Sequence, residues 1–176
     1  MDAIVIVDYD SRWPHWFEQE SVYLRAILTR DLVLRIEHIG STAIPGMAAK
    51  PIIDMLVEIS SFDRAKAIAI PKLQAEGYDY IWRSDRPPGH MMFIKRSGPK
   101  GPRTHHLHMA PSGHKLWDRL YFRDYLRADP EEAQRYALLK RDLANRFPID
   151  REAYTNGKSA YVELITAKAQ GIVGRE

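Results

Sequence analysis

The fold of this chain is decided by residues 32–59, which read LVLRIEHIGSTAIPGMAAKPIIDMLVEI. Within residues 32–39 apolar and polar side chains alternate, and residues 52–59 form a nearly continuous apolar run. These two patterns predict two strands, the second of which is buried on both faces. Residues 40–51 contain two glycines and two prolines and have no periodicity, so they are predicted to form a loop.

The remaining segments predict a mixed sheet followed by helices. Strands are expected over residues 3–7, 91–96 and 104–109, the last two as an antiparallel hairpin, and helices over residues 14–28 and 63–77. Pro71 is expected to kink or split the second of these helices. The last third is predicted to hold one helix around residues 116–121, one capped by Asp129 and a final one capped by Asp150. Together these elements predict a single α+β domain over residues 1–176, with a mixed β-sheet flanked by helices and a helical C-terminal third.

Composition narrows the class of protein. The 176 residues are 45% hydrophobic and 28% charged, which is ordinary for a soluble globular protein, and the absence of cysteine excludes disulfides and cysteine zinc sites. The start of the chain does not resemble a signal peptide, and no apolar run reaches roughly 20 residues, so a cytoplasmic protein with no membrane partner is expected. The net charge of +3 is spread along the chain, which argues against a nucleic acid as partner. The isoelectric point near 9.1 keeps RNA association as the weakest alternative.

Asp54 stands in the middle of the second strand of the opening stretch. Alternate residues share a face of a strand, so Ile53 and Met55 are expected to point into the core and Asp54 the other way. A carboxylate in so apolar a strand is costly to bury without a partner. It is therefore predicted either to pair with a nearby Lys or Arg or to line a functional site, and the second interpretation makes Asp54 the candidate catalytic residue.

A second set of residues is predicted to bind a nucleotide or another phosphorylated small molecule. Gly40 and Ser41 follow a strand directly, where backbone N–H groups and a hydroxyl can turn to hold phosphate oxygens. Lys50 offers a point charge and Arg103 a planar fork of donors. Two more candidates, which could close the cleft, lie one helical turn apart in the last third: Tyr154 and Lys158. The alternative for Arg103 is a surface position beside the hairpin loop, and the alternative for Tyr154 and Lys158 is a pair that lies half in the core and half in solvent.

The stretch that decides the fold also resembles a known family. Residues 38–46, HIGSTAIPG, and residues 49–54, AKPIID, are similar to the signature of the GrpB family, which also occurs as a C-terminal domain fused to dephospho-CoA kinase. Further motifs extend the resemblance nearly from end to end: YD at 9–10, WP at 13–14, THHLH at 104–108, FRDYL at 122–126, and REAY at 151–154 with Lys158. On these motifs the chain is identified as a member of that family.

The resemblance implies a nucleotidyltransferase-like fold and activity. In that superfamily a glycine–serine turn precedes a strand with two acids one residue apart, and the acids bind a divalent metal that orients a triphosphate. Gly40 and Ser41 match the turn, and Asp54 matches the first acid. Leu56 occupies the position of the second acid, so the two-carboxylate site is incomplete. Glu58 does not replace it, because four residues along a strand span about 13 Å.

A histidine strand offers a substitute for the missing acid. His106 and His108 lie on one face of the predicted strand 104–109, with Cα atoms roughly 6.6 Å apart, a spacing at which two imidazoles can share an ion. If this strand neighbours that of Asp54, the three side chains form a two-histidine, one-carboxylate metal site that suits Zn, Mn or Fe better than Mg. The histidines could instead bind phosphate, act as acid and base, or form a polar sheet face with no further role.

Three functions are open on the sequence alone. The first is a nucleotide- or phosphate-binding domain that carries out metal-assisted nucleotidyl or phosphoryl transfer, and hence a transferase. The second is a non-catalytic module that binds a nucleotide or a CoA-related compound, which Leu56 in place of the second acid favours. The third is RNA association. The sequence does not determine the metal, the acceptor, the preferred nucleotide or the oligomeric state.

Overall fold

The computed structural model describes residues 3–81 and 89–171, which divide into two compact units. The sheet unit comprises Arg12–Ile39 and Ile52–Trp117, and the helical unit comprises Met1–Ser11, Gly40–Pro51 and Asp118–Glu176, each as far as it is described. Whether the whole chain behaves as a single domain stays a prediction. No helix in the described part of the chain is both long and apolar enough to cross a bilayer.

A five-stranded mixed sheet forms the centre of the sheet unit. Its strands are β1 Val33–Ile39, β2 Ile53–Ile59, β3 Tyr78–Tyr80, β4 Met91–Arg96 and β5 Arg103–Pro111. Their order across the sheet is β1-β2-β5-β4-β3, and of these described strands only β2 and β5 pair in parallel. Two helices accompany the sheet, α1 Trp13–Ile27 and α2 Phe62–Ala75. The predicted α+β class, the mixed sheet and the hairpin of β4 and β5 are confirmed.

The two faces of the sheet differ in character, as the alternation along β2 predicts. The odd-numbered residues of Ile53–Ile59 are buried, and Asp54 on the other face is partly exposed. Phe17 of α1 stacks on His38 of β1 with ring centroids 4.7 Å apart, and His38 shares the face of the odd-numbered β2 residues. That face therefore packs against a helix. The opposite face, which carries Asp54, is called the polar face below.

Four α-helices and the loop 40–51 form most of the helical unit. The helices are α3 Arg119–Ala128, α4 Pro130–Arg146, α5 Arg151–Asn156 and α6 Ser159–Ala169. The side chains of Asp129 and Asp150 accept backbone N–H bonds at the starts of α4 and α5, as predicted for N-caps. Ile44 and Met47 of the loop are buried in a cluster with side chains of the helices: Phe122, Leu126, Tyr136 and Ile165.

Two long side chains anchor the loop 40–51 by its backbone carbonyl groups. Arg127 of α3 donates from Nε and Nη2 to the carbonyl oxygen of Ala43, at 3.0 and 2.7 Å. The ammonium group of Lys140 on α4 donates to the carbonyl oxygen of Ala48. Because an unpaired carbonyl group inside a protein is costly, these bonds favour one conformation of the loop.

The predicted strand over residues 3–7 is wrong. Within this segment only Val7 forms a β-bridge, an isolated one with Ala49 whose two N–H···O distances are 2.9 Å. The N–H of Ile4 donates to the carbonyl oxygen of Pro148 at 2.8 Å, outside any strand. Apolar, β-branched residues favour a strand only where a partner continues beside them. The loop 40–51 offers such a partner at a single position.

The helices also differ from expectation in three places. The predicted final helix is two helices, because the chain turns at Gly157 between α5 and α6. A Cβ atom at Gly157 would lie 2.5 Å from Cδ2 of Leu143, so the backbone passes α4 more closely than a side chain allows. The helix expected around residues 116–121 begins as a 3-10 turn, Lys115–Asp118, that leads into α3. Pro71 does not split α2, which continues through it.

Replacing Leu107 with alanine is expected to lower the free energy of unfolding by about 2–5 kcal/mol, because this fully buried side chain lies on the central strand β5 and its truncation leaves a cavity. Leu34→Ala on β1 is the matched control, since Leu34 is 53% exposed and its loss is expected to cost less than about 0.5 kcal/mol. Urea unfolding followed by circular dichroism measures both. Equal losses in the two variants would contradict the burial described for this sheet.

Candidate functional site

Asp54 and His106 are neighbours on the parallel strands β2 and β5. The register pairs the two residues directly, so both side chains point to the polar face. Nδ1 of His106 lies 2.9 Å from Oδ1 of Asp54. The condition set by the sequence, that the histidine strand runs beside the strand of Asp54, is therefore met.

The carboxylate of Asp54 determines where the imidazole of His106 carries its proton. An ionised carboxylate only accepts hydrogen bonds, so Nδ1 donates, and in the neutral form of the ring Nε2 has the lone pair. Nε2 is buried and forms no hydrogen bond with the described residues, and the His106 side chain is 13% exposed. An imidazole oriented by a carboxylate in this way can take a proton or ligate a metal through Nε2.

The side chain of His108 contacts another histidine. In the register it lies beside Leu56, which is fully buried at the position of the missing second acid. Nδ1 of His108 lies 3.0 Å from Nε2 of His90, and the two rings stack with centroids 5.2 Å apart. Among the described residues no three His, Asp or Glu side chains are grouped so that they could hold a metal ion. Asp54, His106 and His108 thus share a face without forming a three-ligand site, and the divalent metal stays a prediction.

Arg103 reaches the polar face through an irregularity in β5. Lys95 of β4 pairs with His105, but the next residue, Arg96, pairs with Arg103, so one residue of β5 is skipped. Such a bulge interrupts the alternation of side chains along a strand. Because paired residues share a face, Arg103 lies on the face of His106 and not on that of His105. Its role in phosphate binding stays a prediction.

Glu58, the other acid on the polar face of β2, takes part in a separate interaction. Its Oε2 accepts a hydrogen bond from Nε of Arg35 at 3.0 Å. The guanidinium carbon of Arg35 in turn lies 4.1 Å from the centroid of the Trp117 ring. This ion pair agrees with the expectation that Glu58 does not complete an acid pair with Asp54.

The predicted phosphate turn belongs to the helical unit. Gly40 has a φ of 70°, a backbone conformation that favours glycine, and Ser41–Ala43 form a single 3-10 turn. The carbonyl oxygen of Gly40 accepts the N–H of Ala43 at 3.2 Å, which closes the turn. Glycine is therefore required here by the path of the chain, and phosphate binding by Gly40 and Ser41 stays a prediction.

Lys50, Tyr154 and Lys158 come together in the helical unit, where we call them the lysine–tyrosine cluster. Tyr154 is only 1% exposed. Nζ of Lys50 lies 4.8 Å from the centroid of its ring, and Nζ of Lys158 lies 4.5 Å from the same centroid. An ammonium group at such distances is attracted by the negative face of the ring. The sequence predicted the pair of Tyr154 and Lys158, and the structure adds Lys50 from the loop.

Lys140 lies next to this cluster and was not predicted from the sequence. It is 2% exposed, and its Nζ lies 4.9 Å from the centroid of the Tyr136 ring. Burial, together with the charges of Lys158, Lys50 and Arg141, lowers the pKa of Lys140 to about 7. A signal for it does exist in the sequence, because Lys140 follows the apolar-face residue Tyr136 by one helical turn.

The chain is similar to known proteins over most of its length. The family model described as GrpB protein matches residues 3–168. The chain is 42% identical to the UPF0157 protein of Pseudomonas aeruginosa, over 96% of this chain and 68% of that protein. It is 27% identical to the dephospho-CoA kinase of Mycolicibacterium paratuberculosis, over 84% of this chain and 42% of the kinase.

A solved structure shares the fold. The crystal structure of the conserved protein GrpB from Enterococcus faecalis matches with a TM-score of 0.84 and 33% sequence identity, covering 95% of this chain and 98% of that one. The family model, the identity to relatives and the shared architecture agree with the motifs around the loop 40–51. This chain belongs to the GrpB family.

Proposed function

We propose that this protein binds a phosphorylated small molecule, such as a nucleotide, at the lysine–tyrosine cluster. The observation that supports this most is the approach of two ammonium groups, from Lys50 and Lys158, to the ring of the buried Tyr154 at 4.8 and 4.5 Å. Lysine is a common ligand of phosphate because its ammonium group is a compact charge with three donors. The ring of Tyr154 attracts both ammonium groups and so restricts where they can lie.

The electrostatics around Lys140 also favour an anion at this place. Each charged group that perturbs the pKa of Lys140 is a cation, namely Lys158, Lys50 and Arg141, and each of them lowers it. The potential at this point of the helical unit is therefore positive. A phosphate group, which carries up to two charges near neutral pH, gains more from such a potential than a carboxylate does.

The family suggests which molecule carries the phosphate group. The resemblance implies a nucleotide, and the match to a dephospho-CoA kinase makes a CoA-type compound a second member of the same chemical class. Adenine nucleotides and dephospho-CoA both carry phosphate on an adenosine. AMP, ATP and dephospho-CoA therefore form a suitable panel of ligands.

Lys50→Gln and Lys158→Gln are each expected to weaken binding of these ligands by about 10- to 100-fold, because each removes a charged hydrogen-bond donor of a phosphate group. Isothermal titration calorimetry with AMP, ATP and dephospho-CoA measures the affinities. Lys66→Gln, at an exposed position of α2, is the matched control and should bind as the wild type does. Wild-type protein that binds none of the three ligands, or cluster variants that bind as tightly as the control, would overturn the proposal.

A second candidate function, phosphoryl or nucleotidyl transfer, is favoured by the 2.9 Å contact of Asp54 with His106. We propose that Nε2 of His106 takes the proton of an attacking hydroxyl group or water as its oxygen bonds to the phosphorus, while Asp54 stabilises the imidazolium that forms. The P–O bond to the departing pyrophosphate or nucleoside diphosphate breaks in the same reaction. Arg103 on the same face provides a planar fork for phosphate oxygens. The metal-assisted form of this reaction is a further possibility that the resemblance implies.

Asp54→Asn and His106→Asn are expected to lower turnover of a nucleoside triphosphate by about 10²- to 10⁴-fold, the usual contribution of a positioned acid–base group. Asparagine at 54 still accepts a hydrogen bond but carries no charge to stabilise an imidazolium. Glu58→Gln, on the same face of β2, is the control and should retain activity. Phosphate and pyrophosphate release from ATP and CTP is the measurement. Unchanged turnover in both variants would exclude this chemistry, and a wild type that binds without any turnover would leave a binding module as the function.

A further inference from the structure

Lys140 is enclosed by the helical unit. Its ammonium group donates to the carbonyl oxygen of Ala48, two residues before Lys50 in the loop, and lies 4.9 Å from the ring centroid of Tyr136. No carboxylate of the described residues forms an ion pair with it. A buried ammonium group without a counter-ion is costly, so the surroundings disfavour its charged form.

The charged groups around Lys140 come from three segments, and all that act on it are cations. Lys50 belongs to the loop, Lys158 precedes α6, and Arg141 follows on α4 itself and pairs with Asp8 at 2.6 Å. The aromatic ring beside the ammonium group of Lys140 is that of Tyr136. With a pKa of about 7, Lys140 is protonated in about half of the molecules at pH 7 and in about one tenth at pH 8.

We propose that Lys140 is a conditional third charge of the phosphate site, which becomes protonated when a doubly charged phosphate group binds near Lys50 and Lys158. The inference rests on the proposed function, since it needs an anion at the lysine–tyrosine cluster. The anion offsets the repulsion from the two lysines and attracts the ammonium form of the third. At an effective dielectric constant of about 20 and a distance of about 10 Å, one added negative charge raises the pKa of Lys140 by about one.

The consequence for specificity is a preference for phosphate monoesters over phosphodiesters. The stabilisation of the protonated lysine grows with the charge of the ligand, so a dianion is favoured more than a monoanion of the same shape. AMP and cyclic AMP provide this comparison, because they share the adenosine and differ in the charge of the phosphate. In this proposal Lys140 affects the ligand by its charge and without direct contact. The carbonyl oxygen of Ala48 accepts a hydrogen bond from its ammonium or amine group and holds it in place.

Calorimetric titration of AMP at pH 8, in buffers that differ in ionisation enthalpy, measures the protons taken up on binding. AMP carries two negative charges at pH 8, so we expect an uptake of about 0.8 proton per site in the wild type, as the protonated fraction rises from about one tenth to about nine tenths. Lys140→Met should bind AMP more weakly with almost no uptake, and its preference for AMP over cyclic AMP should decrease. Lys140→Arg, whose side chain stays charged, should bind AMP with almost no uptake of protons. This variant provides the comparison if Lys140→Met does not fold.

The outcomes separate the two proposals. If AMP binds and the wild type takes up no more protons than the Lys140 variants, the role of Lys140 is overturned while the phosphate site stands. If none of AMP, ATP and dephospho-CoA binds to the wild type, the phosphate site is overturned and the role of Lys140 falls with it. If only dephospho-CoA binds, which has no phosphate monoester, the role of Lys140 is overturned while the phosphate site stands. A larger proton uptake in the wild type than in both variants supports the inference.

The ligand-free protein gives an independent check on Lys140. The unfolded chain has an ordinary lysine pKa near 10.4, whereas the folded value is about 7, so between these pH values the unfolded state binds more protons. The free energy of unfolding of the wild type, relative to Lys140→Met, should therefore rise as the pH is raised from 7 to 9 and level off below pH 7. Urea unfolding at several pH values measures this difference. A difference that does not change with pH would show that Lys140 is already charged in the free protein, which overturns the inference.

Discussion

The parallel pairing of β2 with β5 is the constraint on which the sheet unit depends. These strands are far apart in the chain, and their register places Asp54 beside His106. Side chains alternate along a strand, so a shift of one residue would turn Asp54 away from His106 and toward the packed face. The apolar odd-numbered residues of β2 oppose such a shift, because it would expose them. The hydrophobic pattern of one strand thus stabilises a polar contact on its other face.

In the helical unit a comparable constraint acts on the loop 40–51. It has little regular structure, and its buried carbonyl groups need donors that its own backbone does not supply. Arg127 and Lys140 provide them to Ala43 and Ala48. Burial of a charged donor is costly, and in Lys140 that cost appears as a lowered pKa. The same lysine therefore holds the loop and makes the electrostatics of its surroundings sensitive to a nearby anion.

Membership of the GrpB family accounts for the architecture, and the chemistry depends on particular side chains. The family resemblance implies two acids on one strand, but here Leu56 replaces the second. The structure places His106 of the neighbouring strand against Asp54 instead. An acid–imidazole pair moves protons at neutral pH more readily than two carboxylates, whereas two carboxylates bind hard metal ions better. This difference is the reason that the proposed transfer reaction assigns the role of base to His106.

The sequence by itself determined β1, β2, β4 and β5, the face that Asp54 occupies and the caps Asp129 and Asp150, because periodicity and capping act between residues close in the chain. Only the tertiary structure decided that His108 lies against His90, that Lys140 is buried beside Lys50, and that residues 3–7 form a single β-bridge. These contacts join distant segments, and their geometry depends on strand register and on how helices pack. No local sequence pattern encodes strand register or helix packing. The family motifs therefore identified the candidate residues, and the long-range packing determined which residues they contact.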